Sequence, residues 1–136
     1  MAFRPDAAGD SAQWTPNAGA NWEAVDEVTP DGDTTYVASD TVDAVDLYNL
    51  AAPSLPGNAV IRRVWASAVA RKANAEDPDQ IQVGLKSGAT AAWSGDHALG
   101  TTYALYSTPA HTVDPDDGQP WTPADLDGLQ AGVKAS

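Results

Sequence analysis

The chain has no cysteine. Disulfides, thiolate metal sites and thiol nucleophiles are excluded, so the fold holds together without covalent staples. Lysine is nearly absent, with only Lys72, Lys86 and Lys134, and Arg4, Arg62, Arg63 and Arg71 complete a set of seven cations against 19 carboxylates. The net charge of −12 argues against nucleic acid, whose phosphates attract Lys and Arg, and against anionic membrane surfaces. There is one Phe and one Met, so a core must come from Val, Leu, Ile and Ala with a few Trp and Tyr side chains. No apolar run approaches the ~20 residues that span a bilayer. The opening Met1-Ala-Phe-Arg-Pro-Asp6 lacks the apolar stretch of a signal peptide, and synthesis and folding in a cytoplasm are expected.

Catalytic groups are equally sparse. There are two histidines, His97 and His111. Neither has a second histidine or a carboxylate at metal-ligand spacing on one element, and each reads as a solvated loop residue. No Gly-x-Ser-x-Gly, phosphate loop or dinucleotide fingerprint occurs. Carboxylates for glycoside hydrolysis need one partner in an apolar pocket, whereas here they sit in Pro- and Gly-rich turns. No catalytic residue is assigned, and the chain is not read as an enzyme.

What remains is one domain's worth of sequence, 136 residues. All carboxylates but Glu23, Glu27 and Glu76 are aspartates. An Asp-rich, Lys-poor chain fits a GC-rich genome or a halophilic host, where salt screens the repulsion; GC bias is the plainer reading. Residues 1–21 carry turn formers without a period and read as an extended N-terminal arm, leaving 22–136 as the domain. Trp14 and Trp22, costly in water, dock either back on this domain or on a neighbour.

Turns and strands then alternate. Pro30-Asp31-Gly32-Asp33 is a turn signal followed by a strand over 34–39. Residues 45–50 alternate, with Val45, Leu47 and Asn49 opposing Asp46, Tyr48 and Leu50. Over 60–72, Val60, Ile61, Val64, Trp65, Ala68 and Val69 fit a helix, while Val60, Val64, Ala66, Ala68 and Ala70 fit one face of a strand, with Arg63, Ser67 and Arg71 opposite. Ile81, Val83 and Leu85 alternate inward against Gln82 and Lys86. Strands are expected at 91–93 and 101–107. Thr122-Pro123-Ala124-Asp125 is a helix start, giving a short helix near 123–127 that Gly128 ends. Residues 129–135 read as a last strand, placed beside the first. Together these predict an all-β fold, an antiparallel β-sandwich of jelly-roll type.

The acidic turns at 31–33, 76–79 and 114–117 offer hard oxygen ligands for Ca²⁺, but none matches the EF-hand pattern. They are read as solvated turns, and no cofactor is expected. Trp65 and Trp93 are the candidates for stacking on a sugar ring, with core packing as the plainer role.

A set of pieces in order resembles a known family. They are Trp22 with Val25-Asp26-Glu27, then 30–37, Asp46-Leu47-Tyr48, Ala70-Arg71-Lys72, Leu85-Lys86-Ser87-Gly88, Asp114-Pro115, Gly118, Trp121-Thr122, Gln130 and Gly132-Val133. Together they resemble small virion-associated structural proteins of tailed bacteriophages and archaeal tailed viruses, over roughly residues 22–133. The resemblance implies a jelly-roll-like sandwich, a strand over 60–72, residence in the virion, and no catalytic residues. It implies a capsid decoration or cement protein whose partners are the major capsid protein or other virion proteins. The alternative is a head-fibre, turret or tail module that contacts a host glycan. A homo-oligomer is expected, a trimer because shells offer three-fold sites. The arm residues Phe3, Arg4, Trp14 and Trp22 are the expected anchors on a neighbouring subunit.

Overall fold

The computed structural model describes residues 1–136. Ten strands follow in chain order: β1 (Pro5–Ala12), β2 (Thr15–Pro16), β3 (Val37–Ala38), β4 (Val45–Leu50), β5 (Ser67–Ala70), β6 (Gln80–Ser87), β7 (Thr90–Trp93), β8 (His97–Ala98), β9 (Ala104–Ser107) and β10 (Gln130–Ala135). Two 3-10 turns occupy Trp22–Ala24 and Pro123–Leu126. The main sheet runs β1-β4-β10-β6-β7, with β8 also paired to β6, and every pairing is antiparallel. β5 and β9 pair only with each other and pack on the inner face of that sheet; β2 and β3 form a third small pair. The protein is thus an all-β antiparallel sandwich, as its alternating short apolar runs predict.

The core follows from that alternation. Ile81, Val83 and Leu85 of β6 all point inward, beside Ala131 and Val133 of β10 and Tyr48 and Leu50 of β4. Ala66, Ala68 and Tyr106 cover them from the β5–β9 layer, and Trp121, Leu126 and Leu129 close one side. The indole N–H of Trp121 donates to the His111 carbonyl at 2.9 Å. Asp125 accepts from the Thr122 amide and hydroxyl, so the sequence-predicted start at Thr122 does open a short helical turn. Only 21 of 136 residues are buried, so polar ties carry a large share of the fold's specification.

The N-terminal stretch differs from the expected arm. Residues 5–12 are the edge strand of the main sheet, paired to β4 with two register shifts. Their small residues hide this from a periodicity reading, yet small size is what the site needs. A Cβ at Gly9 would collide with the Leu47 carbonyl of β4. Side chains complete the pairing: Asn49 donates to the Ala8 carbonyl at 2.7 Å, and the Gln130 side-chain oxygen accepts from the Asp10 amide at 2.9 Å. Pro5 sits where proline belongs in a sheet, on an edge strand.

The tie at the far end of this stretch is Asp46, fully buried on the inner face of β4. One carboxylate oxygen accepts from the Trp14 amide at 2.8 Å; the other accepts from the Asn21 side chain at 2.6 Å and the Tyr48 hydroxyl at 2.9 Å. No cation forms an ion pair with it. Burial, and then the Asp46 charge, raise the Tyr48 hydroxyl far above its ordinary pKa, so it stays a donor.

Other departures have local causes. The strand expected over 34–39 shrinks to 37–38 because Thr34 and Thr35 are spent on the preceding turn. Thr35 donates its amide and hydroxyl to the Asp31 carboxylate, and the Thr34 hydroxyl donates to the Asp31 carbonyl. The strand expected over 60–72 is regular only at 67–70, preceded by a single bridge between Val64 and His111. Its even residues Ala66 and Ala68 do point inward, but Val60 is left in solvent. The strand expected over 101–107 begins at Ala104. The last strand lies between β4 and β6 rather than beside the first.

Replacing Asp46 by Ala removes the acceptor for three donors, and a loss of about 3 kcal/mol of stability is expected in denaturant unfolding. Tyr48→Phe removes one donor and is expected to cost about 1 kcal/mol. Amide exchange over residues 13–24 should rise in the Asp46→Ala protein before global unfolding. Unchanged exchange there would mean that Asp46 does not hold this segment.

Candidate functional site: an uncovered sheet face

The β5–β9 register pairs Ser67 with Ser107, Ala68 with Tyr106, Val69 with Leu105 and Ala70 with Ala104. With Ala66, Ala68 and Tyr106 turned to the core, the alternation turns Trp65, Ser67, Val69, Leu105 and Ser107 the other way. The outer face of a two-layer antiparallel fold is ordinarily polar. Here it is apolar: Trp65 is 56% exposed, Leu105 67%, Tyr103 40% and Val69 38%. Its polar content is the Ser67–Ser107 hydroxyl pair at 2.7 Å and the cations at its ends. Val60, 81% exposed, leads into the same strip. An open cleft of about 1650 Å³ runs along these residues to the inner-face side chains Ile81, Val83 and Val133.

One end is fixed by a three-residue latch. Asp33 accepts from the Tyr103 hydroxyl at 2.6 Å and from Arg71 at 3.0 Å. The Arg71 guanidinium lies 5.2 Å from the Tyr103 ring centroid. The Tyr103 hydrogen bond, and then that of Arg71, hold the Asp33 carboxyl below its ordinary pKa, while burial and then Asp33 raise the Tyr103 hydroxyl. The latch anchors the 31–35 turn to the sheet.

The other end carries unspent charge. Arg71, Lys72, Lys86 and Lys134 form ion pairs with Asp33, Asp79, Asp10 and Asp43, and Arg4 donates to the Glu27 carbonyl. Arg62 and Arg63 remain. Both are exposed, both line the cleft beside Val60 and Trp65, and neither forms an ion pair.

The residues singled out in the sequence separate accordingly. Three of the four expected anchors, Phe3, Arg4 and Trp14, are engaged within the chain. Phe3 packs against the core and Arg4 holds Glu27. Trp14 donates its amide to Asp46 and its indole N–H to the Ala44 carbonyl at 2.9 Å, and Trp22 opens a 3-10 turn. Trp93 lies against Gly84, where a Cβ would collide with its ring, so it packs on the sheet; Trp65 is the open one. The histidines are not free loop residues. His111 pairs through its backbone with Val64, and its Nε2 is buried without a partner. His97 Nε2 lies 3.2 Å from the Ser107 carbonyl. The acidic turns spend their carboxylates on the chain: Asp114 accepts from Ser87, Asp116 from Thr90, and Asp77 from the Ala73 and Asn74 amides. No three His, Cys, Asp or Glu residues converge as a metal site.

Sequence reasoning missed Val69, Tyr103 and Leu105 as surface residues. The signal was their odd parity, shared with Trp65 and opposed to the inward Ala66, Ala68 and Tyr106. Comparison of the chain with protein-family models, curated proteins and solved structures gave no match.

Removing the Tyr103 hydroxyl takes away the largest influence that lowers the Asp33 pKa. In Tyr103→Phe, the Asp33 carboxyl, followed by NMR titration, should titrate nearer the ordinary value of about 3.9. A lowered folded-state pKa stabilises above the ordinary range and is lost as pH falls through the folded value. The latch should therefore open at lower pH in the parent protein than in the variant. An identical Asp33 titration in both would show that the hydroxyl does not set it.

Proposed function

We propose that this protein is a non-catalytic structural component of a tailed-virus particle, a capsid decoration protein that binds the assembled shell. The observation that supports this most is an apolar sheet face left open on a chain of net charge −12. Charge keeps the free chain soluble at high concentration, while the apolar face is completed by contact with protein. An acidic exterior also avoids the packaged genome. The ordered resemblance of residues 22–133 to virion-associated proteins points the same way, and in this reading the chain acts in the virion, on the major capsid protein. Attachment falls to the open face, because the anchors expected in residues 1–21 are spent within the fold.

Purified protein should co-sediment with shells that lack it and saturate at a fixed copy number. No binding at any ratio would remove the decoration role.

A second reading is favoured by one observation, the open ring of Trp65. A flat exposed indole suits a sugar ring, as in a fibre or tail module on a host glycan. That reading requires saccharide binding that Trp65→Ala abolishes; equal binding by the variant discards it.

A further inference from the structure

The β2–β3 and β5–β9 pairs are separate sheets with no strand joining them. Residues 36–41, which include β3, and residues 59–74, which include β5, both line the open cleft. β2 and β9 contribute one residue each, Thr15 and Leu105, so the cleft lies against the edges of β3 and β5 that face away from those partners. Its floor is the inner face of the main sheet, with Tyr48, Leu50, Ile81, Val83 and Val133.

Both edges carry unpaired backbone groups. In an antiparallel ladder one residue points its N–H and C=O to the same side, and successive residues alternate. The even residues around β5 point toward β9. Val64 exchanges both bonds with His111, the Ala66 carbonyl accepts from the Thr108 amide at 2.9 Å, and the Lys72 amide donates to the Gly100 carbonyl at 2.9 Å. The odd residues Trp65, Ser67, Val69 and Arg71 therefore aim their N–H and C=O groups at the other edge, where no strand of the chain meets them. In β3 the Tyr36 carbonyl accepts from the Asn17 amide at 3.0 Å on the β2 side, which leaves the Val37 groups on the free edge. Charge in the cleft is balanced. Five of the seven cations line it against five of the 19 carboxylates, so the net −12 lies outside it. Net charge selects no ion there; the apolar floor and the unpaired backbone groups make the selection.

We propose that the cleft accepts one extended strand of a partner protein, paired through its main chain to the free edge of β5 and facing β3 across the cleft. The occupant is an uncharged segment with an apolar residue at every second position. Its apolar side chains turn to Tyr48, Leu50 and Val133, and the alternate ones turn outward beside Trp65 and Val69. A helix has no free backbone groups to give the edge, and a sugar has no apolar side chains for the floor, so neither fits. This goes beyond shell binding and does not depend on it.

The probe is an end-blocked heptapeptide of alternating threonine and valine, added in the millimolar range to the full-length protein and followed by amide exchange in NMR. Exchange at Ser67, Val69 and Val37 should be fast in the free protein and slow at least tenfold with the peptide, while Ala68, already bonded to β9, changes little. The peptide with aspartate in place of valine should not bind. Of two peptides N-methylated on alternate amides, one in each frame, at least one should lose binding. Val69→Pro removes an edge N–H that the fold does not use, and it should keep the circular dichroism spectrum and lose the peptide. Should that variant unfold, the N-methylated peptides make the same test on the parent protein. No binding of the threonine–valine peptide overturns the proposal. So does binding that leaves Ser67 and Val69 unprotected, equal binding by the aspartate peptide, or full binding by both N-methylated peptides. Peptide binding without shell binding would leave the acceptor edge standing and remove the decoration role; shell binding without peptide protection would do the reverse.

Discussion

A buried carboxylate without a cation is the constraint on which the rest of this fold depends. Asp46 is removed from water, so it must replace its hydration with donors from the chain. It finds three: the Trp14 amide, the Asn21 amide group and the Tyr48 hydroxyl. Two of them come from residues 32 and 25 positions earlier. Satisfying Asp46 therefore returns the N-terminal segment to the sheet. That return places β1 along the edge of β4 and turns Trp14 toward the Ala44 carbonyl. A stretch with little strand propensity of its own becomes the sheet's edge strand because its neighbours supply the partners.

The same economy explains why one apolar face stays uncovered. One face of the main sheet is covered by β5, β9 and the 121–129 segment, and the core is small. The covering layer has only two strands, each paired on one side, and it presents bulky apolar residues outward as well as small ones inward. Alanines at 66 and 68 let the layer sit close to Val83 and Leu85. Its larger side chains stay exposed. The Asp33–Arg71–Tyr103 latch ties the 31–35 turn to one end of that face.

Where the reading from sequence held, the information was local. The 45–50 and 80–87 strands, the inward set Ile81, Val83 and Leu85, and the turn opened by Thr122 all follow from patterns within eight residues. Where it departed, a distant partner or a competing local bond decided. Thr34 and Thr35 are good strand residues, but their hydroxyls are taken by Asp31. Phe3, Arg4 and Trp14 have the character of anchors, and their side chains are engaged by their own chain. His111 was read as a solvated loop residue, yet a bridge to Val64 draws it in.

The sequence by itself determined the all-β class, the acidic and cysteine-free character, and the inward face of β6, because these depend on composition and a two-residue period. It also determined that Asp46 and Tyr48 share a face, though both faces of that strand mix polar and apolar residues, so it did not determine which one is buried. Tertiary structure alone decided that Asp46 goes inside, that residues 5–12 join the sheet, and that Trp65, Val69 and Leu105 stay uncovered. Burial is a relation between segments far apart in the chain. Whether an apolar side chain becomes core or contact surface is settled by which segment arrives to cover it.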